Sequence, residues 1–170
     1  MLEINNLSRD EGRAVKILFL DFDGVFTDNS VTVDANGIES VRCSRLDGLG
    51  ITRLKRAGVM VHVVSTETNP VVQKRCEKLG VGCQQGIQDK AGTVEAYLTL
   101  HNLLPKQAAF VGNDINDIGA LQSVAIPIAV ADRVPEIDPF VRFVTTRKGG
   151  CGAVREVCDV IFECGQENYG

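Results

Sequence analysis

The sequence predicts a three-layer α/β fold, a parallel sheet between helices with one inserted β-hairpin flap, and three observations carry that prediction. Short apolar, β-branched runs alternate with stretches of helical periodicity, as strands buried on both faces of a parallel sheet require. An Asn-Gly pair between two β-prone runs breaks the alternation once, a strong hairpin signal. At 170 residues the chain fits one domain, expected to span 1–170, and buries roughly two-thirds of the surface its unfolded form exposes.

Four runs read as strands: 16–21 (KILFLD), 59–65 (VMVHVVS), 108–112 (AAFVG) and 126–131 (IPIAVA). Helical stretches lie between and beside them, over about 47–57, 70–79, 89–102 and 114–123, with a short strand expected between the second and third. Asn69 and Pro70 suit the N-cap and first position of the second helix. In the final segment Val154, Val157, Cys158, Ile161 and Phe162 share one helical face. The hairpin, SVTVDANGIESVRC at 30–43, turns at Asn36-Gly37 and belongs to a flap over about 28–43. No internal repeat, low-complexity tract or linker interrupts the pattern.

Composition narrows the function classes. The net charge is −4 and the pI near 5.2, with Lys and Arg scattered among Asp and Glu, which argues against a nucleic-acid partner. Six cysteines at 43, 76, 83, 151, 158 and 164 form neither a CxxC pair nor a zinc-spaced cluster, so reduced, packed thiols are expected. The start, MLEINNLSRDEGRAVK, lacks a signal peptide's apolar core, and no apolar run reaches the ~20 residues of a membrane span. A cytoplasmic setting with no membrane partner is the expectation.

The chemistry gathers where the first strand ends, in FLDFDGVFTD. Ligands of open α/β sheets bind outside the carboxyl ends of strands. Residues two apart in an extended chain point the same way, so Asp21 and Asp23 face one site while Phe22 turns into the core. Two adjacent carboxylates repel unless a cation compensates, and a hard, oxygen-seeking divalent ion, Mg²⁺, is the natural one. Taken alone, Asp47 reads as a solvated or capping acid.

DFDGVFTD resembles the first motif of the haloacid dehalogenase superfamily of phosphatases. Ser65 at the end of VMVHVVS resembles the second motif, Lys90 in QDKAG the third, and GNDIND at 112–117 the fourth, all in the expected order. The resemblance implies a Rossmann-like domain in which Asp21 attacks phosphorus and forms an aspartyl-phosphate, while Asp23 acts as general acid and then base. It implies phosphate binding by Gly24, Ser65, Thr66 and Lys90, and Mg²⁺ binding by Asp21, Asp23 and the fourth motif. That motif commonly reads GDxxxD, whereas Asn113 stands at its first acidic position, followed by Asp114 and Asp117. An amide oxygen coordinates without charge, so the metal is held more weakly or Asp114 assists.

The spacings from Asp21 to Ser65 and from Ser65 to Lys90 leave no room for a cap domain. The chain resembles the capless 3-deoxy-D-manno-octulosonate 8-phosphate phosphatase-like subfamily more closely than the superfamily at large, through DGVFTDNSV, SRLDGLGI at 44–51 and GGCGAVREVCD at 149–159. This implies a homotetramer whose hairpins pack together, with substrate contacts at Thr27 and Asp47. Where the subfamily usually has Arg in the glycine-rich tail, this chain has Cys151, with Arg147, Lys148 or Arg155 as substitutes. Ser65-Thr66-Glu67 replaces the TGR typical of octulosonate phosphatases and, with Arg75 and Lys78 on one helical face, resembles phosphatases of nine-carbon sialic-type acids and domains joined to acylneuraminate cytidylyltransferases. Glu67, Arg75 and Lys78 are therefore expected to bind substrate. The expected function is hydrolysis of a phosphorylated 2-keto-3-deoxy sugar acid, a sialic-type nonulosonate 9-phosphate ahead of the octulosonate 8-phosphate. The alternative is a silent oligomerisation domain partnering a cytidylyltransferase.

Overall fold

The structure, a computed structural model, describes residues 1–166; residues 167–170 of the expected domain lie outside the described residues. In chain order the strands are β1 (Leu2–Glu3), β2 (Ile17–Leu20), β3 (Thr32–Val33), β4 (Glu39–Ser40), β5 (Met60–Val64), β6 (Gly82–Gln84), β7 (Ala108–Gly112), β8 (Ile126–Ala129) and β9 (Phe143–Val144). The helices are α1 (Arg9–Ala14), α2 (Arg45–Arg56), α3 (Val71–Leu79), α4 (Lys90–Leu100), α5 (Ile118–Gln122) and α6 (Ala153–Gly165). Among the described residues seven strands form one sheet, ordered β1-β9-β8-β7-β2-β5-β6 and parallel at every pairing.

Strand β2 shows why the layers form. All four of its residues are buried, and their alternation divides them between two cores. Leu18 and Leu20 pack with Ile51 and Leu54 of α2, Val72 of α3 and Val157 of α6; Ile17 and Phe19 pack with Val94 and Leu98 of α4 and Leu121 of α5. Each such side chain contributes ~1.5–3 kcal/mol through burial, which fixes the sheet between its helices.

From β2 the chain runs to β5 and β6 on one side, then crosses to β7, β8 and β9 on the other. The reversal at β2 opens a crevice at its carboxyl end, the position at which α/β sheets bind ligands. The expected strands and helices are present. Asn69 caps α3 through its side chain, with Oδ1 accepting from Val71 N–H at 3.0 Å and Pro70 adopting helical φ. The stretch expected as a helix from 114 divides into a 3-10 turn, Ile115–Asp117, and the short α5. β1, β9 and α1 were not expected; the two strands are two residues each and pair only with one another and β8.

Strands β3 and β4 form the hairpin, separate from the main sheet. Gly37 takes the left-handed conformation at its turn (φ 78°), and Asp34 Oδ1 accepts from the N–H groups of Asn36 and Ile38. The hairpin is tied to its own chain where Asn69 Nδ2 donates to Glu39 Oε2 at 3.2 Å. No described helix is long and apolar enough to cross a membrane, and all six cysteines are free thiols.

Candidate active site

Asp21 follows β2 directly and is 3% exposed. Its Oδ1 accepts from Phe22 N–H at 2.7 Å and from Lys90 Nζ at 2.8 Å. Lys90 opens α4, where Asp89 caps the helix by accepting from Gly92 N–H, and its buried ammonium also reaches Asp117 Oδ1 at 2.7 Å. The other oxygen of Asp117 accepts from the N–H groups of Asn113 and Asp114 at 2.8 and 3.3 Å, so the turn after β7 is folded around it. Two buried carboxylates thus share one ammonium. Burial above all, with the charge of Asp117 adding to it, pushes Asp21 up to about 7 despite Lys90.

That excess negative charge is what a cation would neutralise, and a second observation agrees. Asn113 Oδ1 is buried with no hydrogen-bond partner, its side chain pressed against Gly24, whose φ of 76° and lack of Cβ let it approach. Among the described residues no three Asp, Glu, His or Cys side chains converge as a closed metal cage would. The available donors are the Asp21 carboxylate, the Asp23 carbonyl, Asn113 Oδ1 and Asp114. This sparse oxygen set fits Mg²⁺, which retains several of its own waters.

Asp21, Asp23, Asn113, Asp114, Thr66, Asn29, Ile115 and Asn116 line a cleft of ≈ 340 Å³. Asp23 is half-buried, and its carboxyl is raised by burial first and then by Glu67 and Glu39, against the pull of Lys90. Ser65 follows β5 directly and is buried; its Oγ accepts from Glu67 N–H at 3.1 Å, leaving the hydroxyl proton to donate. The backbone N–H groups of Asp23 and Thr66 make no hydrogen bond among the described residues. The N–H of Gly24, by contrast, donates to Thr27 Oγ1 at 3.1 Å. Gly24 therefore contributes space rather than the donor expected of it.

Several expected substrate contacts sit elsewhere. Thr27 is fully buried and its hydroxyl serves the backbone of its own loop, accepting from Gly24 and Asn29. Asp47 is also fully buried, between α2 and the start of α6, where Oδ1 accepts from Arg155 N–H at 3.0 Å and Oδ2 has no partner. It caps α6 from another helix, and burial, outweighing that bond and the charges of Arg75 and Arg147, raises it to about 6. Neither residue offers a surface to a ligand in this arrangement, because packing of the glycine-rich segment and α6 has closed over both. Arg75 turns toward α2 and donates to Ser44 carbonyl at 3.0 Å, and Lys78 is exposed.

Glu67 stays beside the site, where its Oε1 accepts from Thr68 and Asn69 N–H. Arg155 pairs with Asp159 and Cys151 is exposed, while Arg147 and Lys148 stand in solvent. Asn29 and Asn116 were missed. The signal for Asn29 was its residue type, since Asn tolerates left-handed backbone better than most, and its φ is 64°.

No family model matches the chain. It is 34% identical over 148 residues to the 3-deoxy-D-manno-octulosonate 8-phosphate phosphatase KdsC of Salmonella typhi, covering 86% of this chain and 79% of that one. The solved 3-deoxy-D-manno-octulosonate 8-phosphate phosphatase of Yersinia pestis superposes with a TM-score of 0.88 at 31% identity, over 92% of this chain and 85% of that one. The Moraxella catarrhalis enzyme of the same name, solved with magnesium, phosphate and KDO, gives a TM-score of 0.88 at 26% identity, over 92% and 90%.

Proposed function

This chain belongs to the KdsC-like phosphatases of the haloacid dehalogenase superfamily, and on that premise we propose that it is a Mg²⁺-dependent phosphatase of a phosphorylated 2-keto-3-deoxy sugar acid. The observation that carries the reading is Lys90 bridging Asp21 and Asp117 at the switch point of the sheet, beside the unpartnered oxygen of Asn113. An oligomerisation domain has no use for two buried carboxylates held on one ammonium.

Asp21 attacks phosphorus through a carboxylate oxygen, and the bond from phosphorus to the leaving oxygen breaks. Asp23, raised by burial and by its acidic neighbours, gives its proton to the departing alkoxide. It then takes a proton from the water that attacks phosphorus and releases Asp21 and inorganic phosphate. Lys90, the Ser65 hydroxyl and the free N–H groups of Asp23 and Thr66 hold the phosphoryl oxygens as charge shifts. Asp21, the Asp23 carbonyl, Asn113 and Asp114 would hold Mg²⁺, which when bound would supply neutralisation of the phosphoryl charge.

The octulosonate 8-phosphate becomes the first substrate, since Arg75 is committed to α2. A sialic-type 9-phosphate remains the second reading because Glu67 lies close enough to raise Asp23. A homotetramer built through the hairpins gains support from exposed Val31, Val33 and Ile38 there, and Leu46 and Leu49 on α2. The test is phosphate release with Mg²⁺ from octulosonate 8-phosphate, sialic-type 9-phosphates and hexose phosphates, with light scattering for the assembly. Preference for a keto-acid phosphate sustains the reading; equal rates on hexose phosphates sink it.

A further inference from the structure

Asn29 stands on the rim of the cleft that holds Asp21 and Asp23, in the left-handed conformation at φ 64°. Its backbone is fixed: its N–H donates to Thr27 Oγ1 at 3.2 Å, the same hydroxyl that takes the N–H of Gly24. The loop is braced from behind as well. Gly150 N–H donates to Val25 carbonyl at 3.1 Å, a Cβ on Gly149 would run into the Gly24 carbonyl, and one on Gly150 would meet Asp28 N at 2.6 Å. Yet the Asn29 carboxamide makes no hydrogen bond among the described residues, whereas that of Asn116, on the same rim, donates to Thr66 Oγ1 at 3.4 Å.

The backbone of Asn29 is thus fixed on the rim, and its carboxamide offers a donor and an acceptor to the cleft with no partner inside the chain. On the proposed reading the phosphoryl group sits against Asp21, which leaves the leaving group to meet Asn29. We propose that Asn29 is a specificity-determining residue whose carboxamide reads a hydroxyl of the leaving group beside the phosphoester. A hydroxyl both donates and accepts, as a carboxamide does, and the fixed backbone limits where that carboxamide can reach. This rests on the sugar-acid reading for the identity of the leaving group.

The test compares Asn29→Gly with wild type on octulosonate 8-phosphate and on p-nitrophenyl phosphate, whose leaving group has no second hydroxyl. Glycine accepts the positive φ, so the loop keeps its path. The expected result is a fall in kcat/KM of about five- to tenfold on the sugar-acid phosphate, the effect of one hydrogen bond, with the aryl phosphate unchanged. Equal losses on both substrates would mean that Asn29 only shapes the loop, and no loss on either would mean that it touches nothing; each overturns the proposal. A wild type that cleaves the aryl phosphate but no sugar-acid phosphate overturns the substrate reading instead. Asn29 is then judged by the same ratio on the hydroxylated phosphate that wild type cleaves best, and a wild type inert on all of them overturns both.

Discussion

Beneath the cleft Asp21, Ser65, Lys90 and Asp117 are all buried and bonded to one another or to backbone, whereas at the rim Asn29, Ile115 and Asn116 stand in solvent. The floor is assembled from the ends of β2, β5 and β7 and the first residue of α4, elements fixed by the two cores. The rim comes from loops. Phosphoryl chemistry needs charges held without reorganisation, and burial in a low dielectric supplies that. Selection of a leaving group needs only a few well-placed polar groups, and these remain replaceable without disturbing the core.

Three substitutions probe the cleft, one tests burial away from it, and one probes the outer helix. Asp21→Asn should abolish phosphate release, by ~10⁴-fold or more, with the circular dichroism spectrum intact. Lys90→Met leaves two buried carboxylates without their cation, and denaturant unfolding in Mg²⁺-free buffer should show a loss of ~3–5 kcal/mol. Asp47 tests burial away from the cleft. Its folded pKa is raised above the unfolded value, so the folded state holds the proton more tightly. The stability it contributes is full below about pH 4 and is lost as pH rises through about 6. Asp47→Asn should flatten that stretch of the stability profile by on the order of 2–3 kcal/mol.

Asn113→Asp adds a charged oxygen where the neutral one has no partner, and the Mg²⁺ concentration for half-maximal activity should drop about tenfold. Lys78→Ala, on the exposed face of α3, should change kcat/KM by less than about twofold. A larger loss confined to sialic-type 9-phosphates would revive that helix as a substrate contact.

What the sequence disclosed follows the same line. The strands at 108–112 and around 17–20 were legible because burial on both faces leaves a continuous apolar run, and the hairpin because Asn-Gly suits its turn. β1 and β9 were not, since two residues carry no period. α1 was missed although Ser8 and Glu11 carry the spacing of a capping box; Ser8 Oγ caps the helix by accepting from the Glu11 N–H and donates to the Glu11 carboxylate. Asp47 was placed with the substrate by resemblance, yet it lies on the stripe of Gly50, Ile51 and Leu54 that α2 buries, a helical period visible in the sequence. Thr27 gave no such signal, because its role is set by hydrogen bonds inside one loop.

The glycine pair at 149 and 150 joins the beginning of the chain to its end. Its backbone lies against Gly24 and Thr27, and Gly150 N–H bonds to Val25. During synthesis all four motifs, from Asp21 to Asp117, emerge before this brace exists. A nascent chain that stops short of residue 149 carries every proposed catalytic group and lacks the backing that braces the loop after Asp21. Activity should therefore come late in synthesis, and unfolding α6 in the finished protein should silence the site along with the segment that leads into it.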